Sequence, residues 1–335
     1  MKFARYIVAS LVMVSALSGA VSCERRPLYD PESGKPVRLV VDVDPSFRTK
    51  ATDSDFSGDD ESVIGSLQVF VFRGNVLDGY GRSDSGLAVV NCTTGERLVY
   101  AVANAGDLSG VSSPSGLLSS VSSLGGDVKA MQMIGSDTVT VTADESLHIE
   151  VSRIAARVVL KGIKFNYRLD GELVEGKSMS VKSVYLVNVA GDCDFGQNES
   201  YEVDTWHNKG GYDSENSLGT VIYDSVSEGT IANGESLIQE HRFYAYPNAN
   251  ALASGLPWSP RATELVICAE YEGATYYYPV KLPALVSNHS YVIELVNITR
   301  LGNVYDQESV IEGIISKFNV SSKPWEESVV DSVDL

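Results

Sequence analysis

Short apolar segments separated by turn-forming residues dominate the chain. Residues 138–142 alternate strictly between threonine and valine, which is the pattern of a strand with one buried face. Glycine, asparagine, aspartate and proline fill most of the gaps, as is typical of turns between strands. The same reasoning predicts strands at 37–43, 67–72, 97–104, 148–151, 156–160, 183–189, 264–271, 274–280, 291–298 and 311–320. The pattern therefore predicts an all-β protein made of β-sandwiches.

Helical and loop signals are few and lie between the predicted strands. Residues 115–124 and 128–133 are predicted to form one or two short helical turns. Residues 107–127 are rich in serine and glycine, so we expect a surface excursion there. Residues 196–219 are predicted to form a long loop, because glycine, asparagine, aspartate and serine dominate them.

A polar break at 143–146 divides the chain into two predicted domains. The chain of 335 residues is long for one domain and sufficient for two. We therefore expect an N-terminal β-sandwich domain at 23–144 and a C-terminal β-sandwich domain at 145–335, the second of which ends in a polar and apolar tail.

The first 22 residues are predicted to be an export signal. Lys2 and Arg5 give it a charged start, and residues 6–17 form an apolar stretch that is too short for a membrane-spanning helix. Small residues directly before Cys23 fit a lipoprotein signal, although alanine stands three positions earlier where leucine is usual. We expect Cys23 to be lipidated and to become the new N-terminus. A signal that is cleaved without lipidation is the alternative.

The charge of the chain excludes one class of function. The formal net charge is −18, and removal of the signal, which holds two basic residues and no acidic one, makes it more negative. A field of that sign repels nucleic acids, and no basic cluster stands against it, so we exclude nucleic-acid binding. The cysteines after Cys23 are too few for a disulfide framework and form no C-x-x-C motif.

Motifs that carry catalysis are missing from the sequence. The four histidines form neither a close pair nor H-E-x-x-H, and there is no G-x-S-x-G elbow or phosphate-binding loop. Residues 53–58 match the opening of a calcium loop, but Ile64 occupies the position that requires a bidentate glutamate. We therefore predict a protein that is not an enzyme and that uses no cofactor or metal.

Two segments have a more distinctive pattern. Residues 95–105 form a predicted strand that ends Val-Ala-Asn-Ala, and Arg153 and Arg157 stand in an Arg-x-x-Ala-Arg pattern. Further characteristic segments lie at 183–189, 243–248, 261–266, 276–280, 288–291, 298–302, 318–320 and 324–326. Strands with aromatic ends occur in any β-sandwich, but the order of these segments over most of residues 60–327 resembles the fimbrillin family, the type V pilin subunits of gut and oral anaerobes.

This resemblance implies two transthyretin-like β-sandwich domains in tandem and export as a lipoprotein to the outer membrane and cell surface. It also implies that an arginine-specific protease removes the first strand, and that a strand of the next subunit fills the groove left behind. On this chain Arg48 is the expected cut site, with Lys50 as a poorer second choice. The apolar side chains involved would be those of the removed strand, Val37, Leu39, Val41 and Val43, and of the donor tail, Val329, Val333 and Leu335.

Two questions stay open at the level of the sequence. Within a pilus, whose partners would be other pilin subunits, the chain could be a stalk, a tip or an anchor that keeps its lipid and first strand; a host or bacterial surface receptor stays unspecified. The alternative from another class is a cell-surface lipoprotein that binds glycan or peptide. Trp206, Trp258 and the tyrosines at 276–278 are residue types that stack on sugars.

Overall fold

The computed structural model describes residues 34–45, 60–198, 200–216, 218–249, 262–305, 307, 323–324 and 333–334. Strands dominate these ranges, which confirms the all-β prediction. The helix α1 (Pro114–Leu118) is short; Ser113 caps it by accepting a hydrogen bond from the backbone N–H of Gly116 at 3.1 Å, and Pro114 opens it. Single 3-10 turns lie at Asp60–Ser62, Val128–Ala130 and Gly219–Val221.

Eight strands come from the first part of the chain, and seven of them form one sheet. They are β1 (Pro36–Pro45), β2 (Leu67–Arg73), β3 (Val76–Ser83), β4 (Leu87–Thr93), β5 (Gly95–Ala103), β6 (Val121–Ser123), β7 (Met133–Val141) and β8 (Glu145–Arg153). The order in the sheet is β3-β2-β5-β7-β8-β1-β4. Neighbours are antiparallel except for β1 and β8, which are parallel.

The two end strands of this sheet pack against each other. A β-carbon on Gly79 or Gly81 of β3 would lie 2.4 or 2.6 Å from the carbonyl oxygens of Asn91 and Val89 of β4. Glycine at both positions is therefore what lets the backbones of β3 and β4 approach so closely. The sheet folds around its own core as a result, and we refer to this unit, β1–β5 with β7 and β8, as the first sandwich.

Sixteen strands of 2 to 10 residues follow in the described part of the chain. They are β9 (Ala156–Phe165), β10 (Arg168–Leu169), β11 (Glu172–Leu173), β12 (Ser178–Val187), β13 (Val189–Ala190), β14 (Asp192–Asp194), β15 (Trp206–His207), β16 (Tyr223–Ser225), β17 (Thr230–Ala232), β18 (Ser236–Ala245), β19 (Glu264–Tyr271), β20 (Ala274–Lys281), β21 (His289–Ile293), β22 (Val296–Ile298), β23 (Lys323–Pro324) and β24 (Val333–Asp334). One sheet has the order β16-β12-β19-β20, with β17 also on β12. Another is built on β9, which pairs with β18 on one side and with β21 and β22 on the other.

The two largest apolar cores of the described residues share β2, which contributes to both. Val69 and Val71 of β2 point into the core of the first sandwich, whereas Phe70 and Phe72 belong to the larger core that the later sheets enclose. All four side chains are fully buried. Because side chains alternate along a strand, β2 has a buried face on each side and joins the two parts of the molecule.

The division into domains 23–144 and 145–335 stays a prediction, but the strand pairings bear on its position. β8 begins at Glu145, directly after the predicted boundary, and it pairs with β1 and β7 of the first sandwich. A boundary after Arg153 fits these hydrogen bonds better than one at 144/145.

The segment 107–127 lies mostly at the surface, as its serine and glycine content suggested, but it also contributes buried side chains and a paired strand. Leu117 and Leu124 are buried in the larger core, and β6 pairs with β14 of the later part of the chain. The apolar residues are too widely spaced to give a periodic signal, so local composition concealed them. Residues 196–219 are mainly loop as expected, apart from β15, and the predicted strand at 311–320 lies outside the described residues.

A buried polar network connects the first sandwich to the later sheets. Glu61 is almost fully buried and accepts hydrogen bonds from Arg157 at 2.7 Å and from the hydroxyl of Tyr244. Arg153 donates to the backbone carbonyl of Glu61 at 3.1 Å, and Arg157 also donates to Ser290 at 3.0 Å. Burial first, and then the charge of Glu61, raise the pKa of Tyr244, so its hydroxyl stays protonated and donates.

Replacement of Glu61 by alanine is expected to destabilise the whole molecule. The change leaves the buried guanidinium of Arg157 without its carboxylate, and breaking a buried ion pair from one side costs about 3–5 kcal/mol. Urea denaturation followed by circular dichroism measures this loss. Glu228→Ala, at an exposed carboxylate, is the matched control and should change stability by less than about 0.5 kcal/mol. Equal effects of the two variants would contradict a structural role of Glu61.

Candidate functional site

The strand β1 lies inside the first sandwich, with a neighbour on each side. It pairs in parallel with β8, where Leu39 stands opposite Glu145, and antiparallel with β4, where Leu39 stands opposite Val90. The strand predicted at 37–43 is therefore present, and its backbone is hydrogen-bonded along both edges. Loss of β1 would separate β8 from β4 and leave two unpaired edges that face each other.

The apolar face of β1 is a central part of the core of the first sandwich. Leu39 and Val41 have no exposed surface, Val43 is 6% exposed, and Val37 packs partly against the same core. Full burial of the first three side chains is worth about 5–9 kcal/mol as an upper estimate. That is comparable with the total stability of a typical domain, so the core depends on this strand or on a replacement for it.

Polar contacts fasten the outer side of β1. The carboxylate of Asp42 lies 2.7 Å from Nδ1 of His148 on β8, and the backbone N–H of Arg38 donates to Asp144 at 2.8 Å. The hydrogen bond that Asp42 accepts from His148 is the main cause that raises the pKa of His148 above its ordinary value; burial opposes it, and the charges of Asp42, Asp44 and Glu150 add to it. Both side chains of the His148–Asp42 pair are 49% exposed, so this pair stabilises the docking of β1 on β8 only weakly.

Hydrogen bonds that do not involve β1 hold the strand β4 to its other neighbours. Asp78 of β3 accepts hydrogen bonds from the backbone N–H of Thr93 at 2.8 Å and from Nε of Arg97 at 2.8 Å. Although burial raises the pKa of Asp78, these hydrogen bonds hold it below its usual value. Arg97 also donates to the carbonyl oxygen of Thr94 at 2.8 Å. Side chains of β3 and β5 thus hold β4 in place, independently of β1.

Several predicted site residues lie outside the described residues. They are Cys23, Arg48, Lys50, Val329 and Leu335, together with the acidic segment 53–58. Glu61, the last residue of the acidic run 53–61, is buried, with only 4% of its surface exposed. A run of acidic residues does not predict a partner such as Arg157, which is 96 residues away in the sequence.

The tail contributes two short described strands to the outer edge of the β9 sheet. The backbone of Val333 in β24 pairs in parallel with Val296 of β22, and β23 pairs with β21. The structure therefore places Val333 and β1 in different sheets of the same chain and does not bring them together.

The aromatic residues considered for glycan binding lie in different environments. Tyr278 is buried, Tyr277 packs beside the small cluster of Tyr185, Val187 and Val266, and Tyr276 packs against the larger core. Trp258 lies outside the described residues. Trp206 is half-buried and lines a surface cavity.

The described residues contain no group of three or more histidine, cysteine, aspartate or glutamate side chains placed to hold a metal ion. In the same part of the chain, no helix combines the length and the apolar composition of a membrane span.

Comparison with known proteins gives a consistent result. Residues 36–190 match the family model of the major fimbrial subunit protein (FimA). No sequence among the curated proteins matches the chain. A candidate cell adhesion protein from Bacteroides eggerthii DSM 20697 has the same fold, with a TM-score of 0.63 and 21% identity over 87% of this chain and 97% of that one.

Two other solved structures share the fold. One is a candidate cell adhesion protein from Parabacteroides distasonis ATCC 8503, with a TM-score of 0.57 and 15% identity over 84% of this chain and 100% of that one. The other is a fimbrilin (FimA) from Porphyromonas gingivalis W83, with a TM-score of 0.55 and 14% identity over 82% of this chain and 93% of that one.

The all-β fold and the family match define a structural protein of the fimbrial subunit class, which is not a class of enzymes. More specifically, residues 36–190 match the family model of the major fimbrial subunit protein (FimA), which confirms the resemblance to the fimbrillins. The matched segment contains the whole first sandwich, so β1 and its neighbours lie within the family region. The family implies cell-surface fimbriae as the location and other pilin subunits as partners.

The docking of β1 is expected to depend on pH. Because the folded-state pKa of His148 is raised, its pair with Asp42 stabilises the fold fully below about pH 6.5, and this contribution is lost as the pH rises through the raised pKa. His148→Gln should therefore destabilise the protein at pH 5.5, by no more than about 1 kcal/mol, and have less effect at pH 8.5. Urea denaturation at the two pH values measures the difference. Asp42→Asn should remove the same pH dependence. An equal effect of His148→Gln at both pH values would contradict a pH-dependent stabilisation by the His148–Asp42 pair.

Proposed function

We propose that the chain is a structural subunit of a cell-surface fimbria of the type V pilus kind, assembled by proteolytic removal of β1 and donor-strand exchange. The observation that carries this proposal is the position of β1, an interior strand whose side chains Leu39, Val41 and Val43 fill a core. The chain continues from β1 directly into residues 46–52, which contain Arg48 and Lys50. A cut there would sever β1 from the rest of the sandwich.

Removal of β1 would create a groove in which binding of a new strand is strongly favoured. The edges of β8 and β4 would lose their hydrogen-bond partners together, and the apolar side chains of the core would be open to water. Unpaired edges are templates for a strand of another chain, and main-chain hydrogen bonds with apolar pockets are the basis of strand addition. Fastened to β3 by Asp78, β4 would keep the groove open for the incoming strand.

The tail is the proposed donor. Val329, Val333 and Leu335 share one face of an extended chain with Asp331, so three apolar side chains follow the two-residue spacing of Val37, Leu39, Val41 and Val43. Because Val333 pairs with β22 of its own chain, that pairing must open before the tail can serve a neighbour.

Export would proceed through lipidation of Cys23 and attachment to the outer membrane through the lipid, before the cut releases the lipidated segment together with β1. An anchor subunit of the same pilus would instead keep both the lipid and β1. The two roles differ in whether Arg48 is cut.

The proposed cut should convert a monomer into a polymer. The mature chain from Glu24 is treated briefly with an arginine-specific protease, and N-terminal sequencing should locate a single early cut after Arg48. Native gels should then show ladders. Arg48→Ala should remove both the cut and the ladders, whereas Lys50→Ala, the matched control, should change neither. Resistance to the protease near residue 48 would contradict the stalk role and favour an anchor.

Cys92 provides a native reporter of the groove. It lies opposite Val37, is 4% exposed, and burial is the main cause of its raised pKa, so it should resist alkylation while β1 is in place. In a Cys268→Ser chain that ends at Trp325, Cys92 should become reactive once the cut strand leaves. Cys193, buried in the other core with a pKa raised to about 12, should stay protected.

A synthetic peptide of residues 326–335 tests the donor directly. Added to the cut, tail-less chain, it should restore the protection of Cys92, and a peptide with Val333→Asp should fail to do so. Continued protection of Cys92 after a verified cut would contradict strand release, and reactivity that the peptide leaves unchanged would contradict the donor role of the tail.

A further inference from the structure

A surface cavity lies in the loop that follows β14, in a different sheet system from β1. Its volume is about 300 Å³, at the lower limit of typical small-ligand sites. Its lining consists of one aromatic side chain and six polar ones: Trp206 with Asp204, Thr205, Asn208, Lys209, Asp213 and Asn216. A cavity of this composition places one aromatic ring beside several polar groups, and the side-chain polar atoms of Asn208 are already hydrogen-bonded within the protein.

Two buried asparagines hold one side of the cavity in place. Asn188 and Asn208 are each at most 1% exposed and both have a positive φ, 55° and 49°. Asn188 donates its backbone N–H to the carbonyl of Asn208 at 2.9 Å and accepts from the backbone of Gly210 at 3.0 Å. The side chain of Asn208 donates to the carbonyl of Leu186 at 2.7 Å and accepts from the backbone of Asp213 at 3.0 Å. These bonds fix the backbone from which the cavity is built.

A buried aspartate holds the other side. Asp192 is 4% exposed and accepts hydrogen bonds from the backbone N–H groups of Asp204 at 3.1 Å and Thr205 at 2.6 Å, and from the hydroxyl of Tyr201 at 3.0 Å. Trp206 donates its indole N–H to the carbonyl of Val203 at 3.1 Å, which fixes the orientation of its ring. The aromatic and polar groups are therefore preorganised, which lowers the entropy cost of binding a ligand.

The lining matches the chemistry of a sugar ring. The negative face of an indole attracts the weakly positive C–H groups on the less polar face of a pyranose, while carboxylate and amide groups can form hydrogen bonds with the hydroxyls at the ring's rim. Asp204 and Asp213 outnumber Lys209, and the side-chain bond from Asn216 and the backbone bond from Glu215 hold the pKa of Asp213 below its usual value. An acidic sugar would meet two carboxylates, so the charge favours a neutral one.

We propose that this cavity binds a neutral pyranose, presented as a single residue of a glycan. The site goes beyond a structural role in a fimbria and does not depend on it, because β15 and its loop take no part in the β1 groove. A subunit with such a site would contribute glycan contact in addition to its place in the polymer.

The test uses the uncut mature chain from Glu24 and five probes. These are the methyl glycosides of glucose, galactose, mannose and N-acetylglucosamine, with N-acetylneuraminic acid as the acidic comparison. Saturation-transfer NMR and titration should detect millimolar binding of at least one neutral glycoside and none of the acidic sugar. Thr205→Arg should fill the cavity without loss of the loop, because Thr205 is held through its backbone N–H.

Binding should weaken at least about tenfold in Thr205→Arg and in Trp206→Ala, which loses the stacking surface. Tyr305→Ala removes an aromatic side chain that is 96% exposed and does not line the cavity, so it is the matched control and should bind as the wild type does. Thermal unfolding of each variant verifies the fold. Absence of binding to every neutral probe, or binding that Thr205→Arg leaves unchanged, would overturn the proposal; preference for the acidic sugar would overturn its charge argument.

Discussion

The core of the first sandwich depends on apolar side chains that lie on the earliest strand of the described chain. Leu39 and Val41 are enclosed by residues from β2, β4, β5 and β8, and the two hydrogen-bonded edges of β1 complete the sheet around them. Burial and backbone pairing thus act at the same place. A strand of this kind cannot fray independently, because its departure would open the core and both edges together.

The larger core is arranged differently and gives the molecule a part that does not rest on β1. Phe70 and Phe72 project into it from the far face of β2, and Glu61 is tied to Arg157 and Tyr244 nearby. The first sandwich is consequently attached to the later sheets through β2 and the Glu61 network. The strand β1 is therefore separate from the contacts that keep the two parts of the molecule together.

Sequence patterns revealed the features that depend on local periodicity. The alternation in 37–43 gave both the strand β1 and its buried face, and the apolar runs gave most long strands of the later sheets. Local periodicity could not identify partners that are far apart in the sequence. Glu61 stands in an acidic run, and only the fold brings Arg157 to it; β8 follows a polar break, and only its parallel pairing with β1 assigns it to the first sandwich.

The candidate sites show the same division. Arg48 and the tail were chosen on a family resemblance, since a single arginine in the sequence carries no structural signal, whereas Cys23 was chosen on the export signal that precedes it. Trp206 was one of several aromatic residues of equal standing in the sequence. The buried asparagines and Asp192 that distinguish it are polar residues in a loop-like stretch, and their burial could not be foreseen from composition.

The parallel pairing of β1 with β8 has a consequence for the order of folding. About a hundred residues separate the two strands, as the hydrogen bond from Arg38 to Asp144 across 106 positions illustrates. Closing a loop of that length is slow relative to forming the hairpins β2–β3 and β7–β8, so β1 is synthesised first but docks late. During that interval the nascent sandwich has a vacant central position, and the covalent link to β1 gives the chain's own strand a high local concentration there. Connectivity therefore favours pairing of this position with the chain's own strand over pairing with a strand from any other chain.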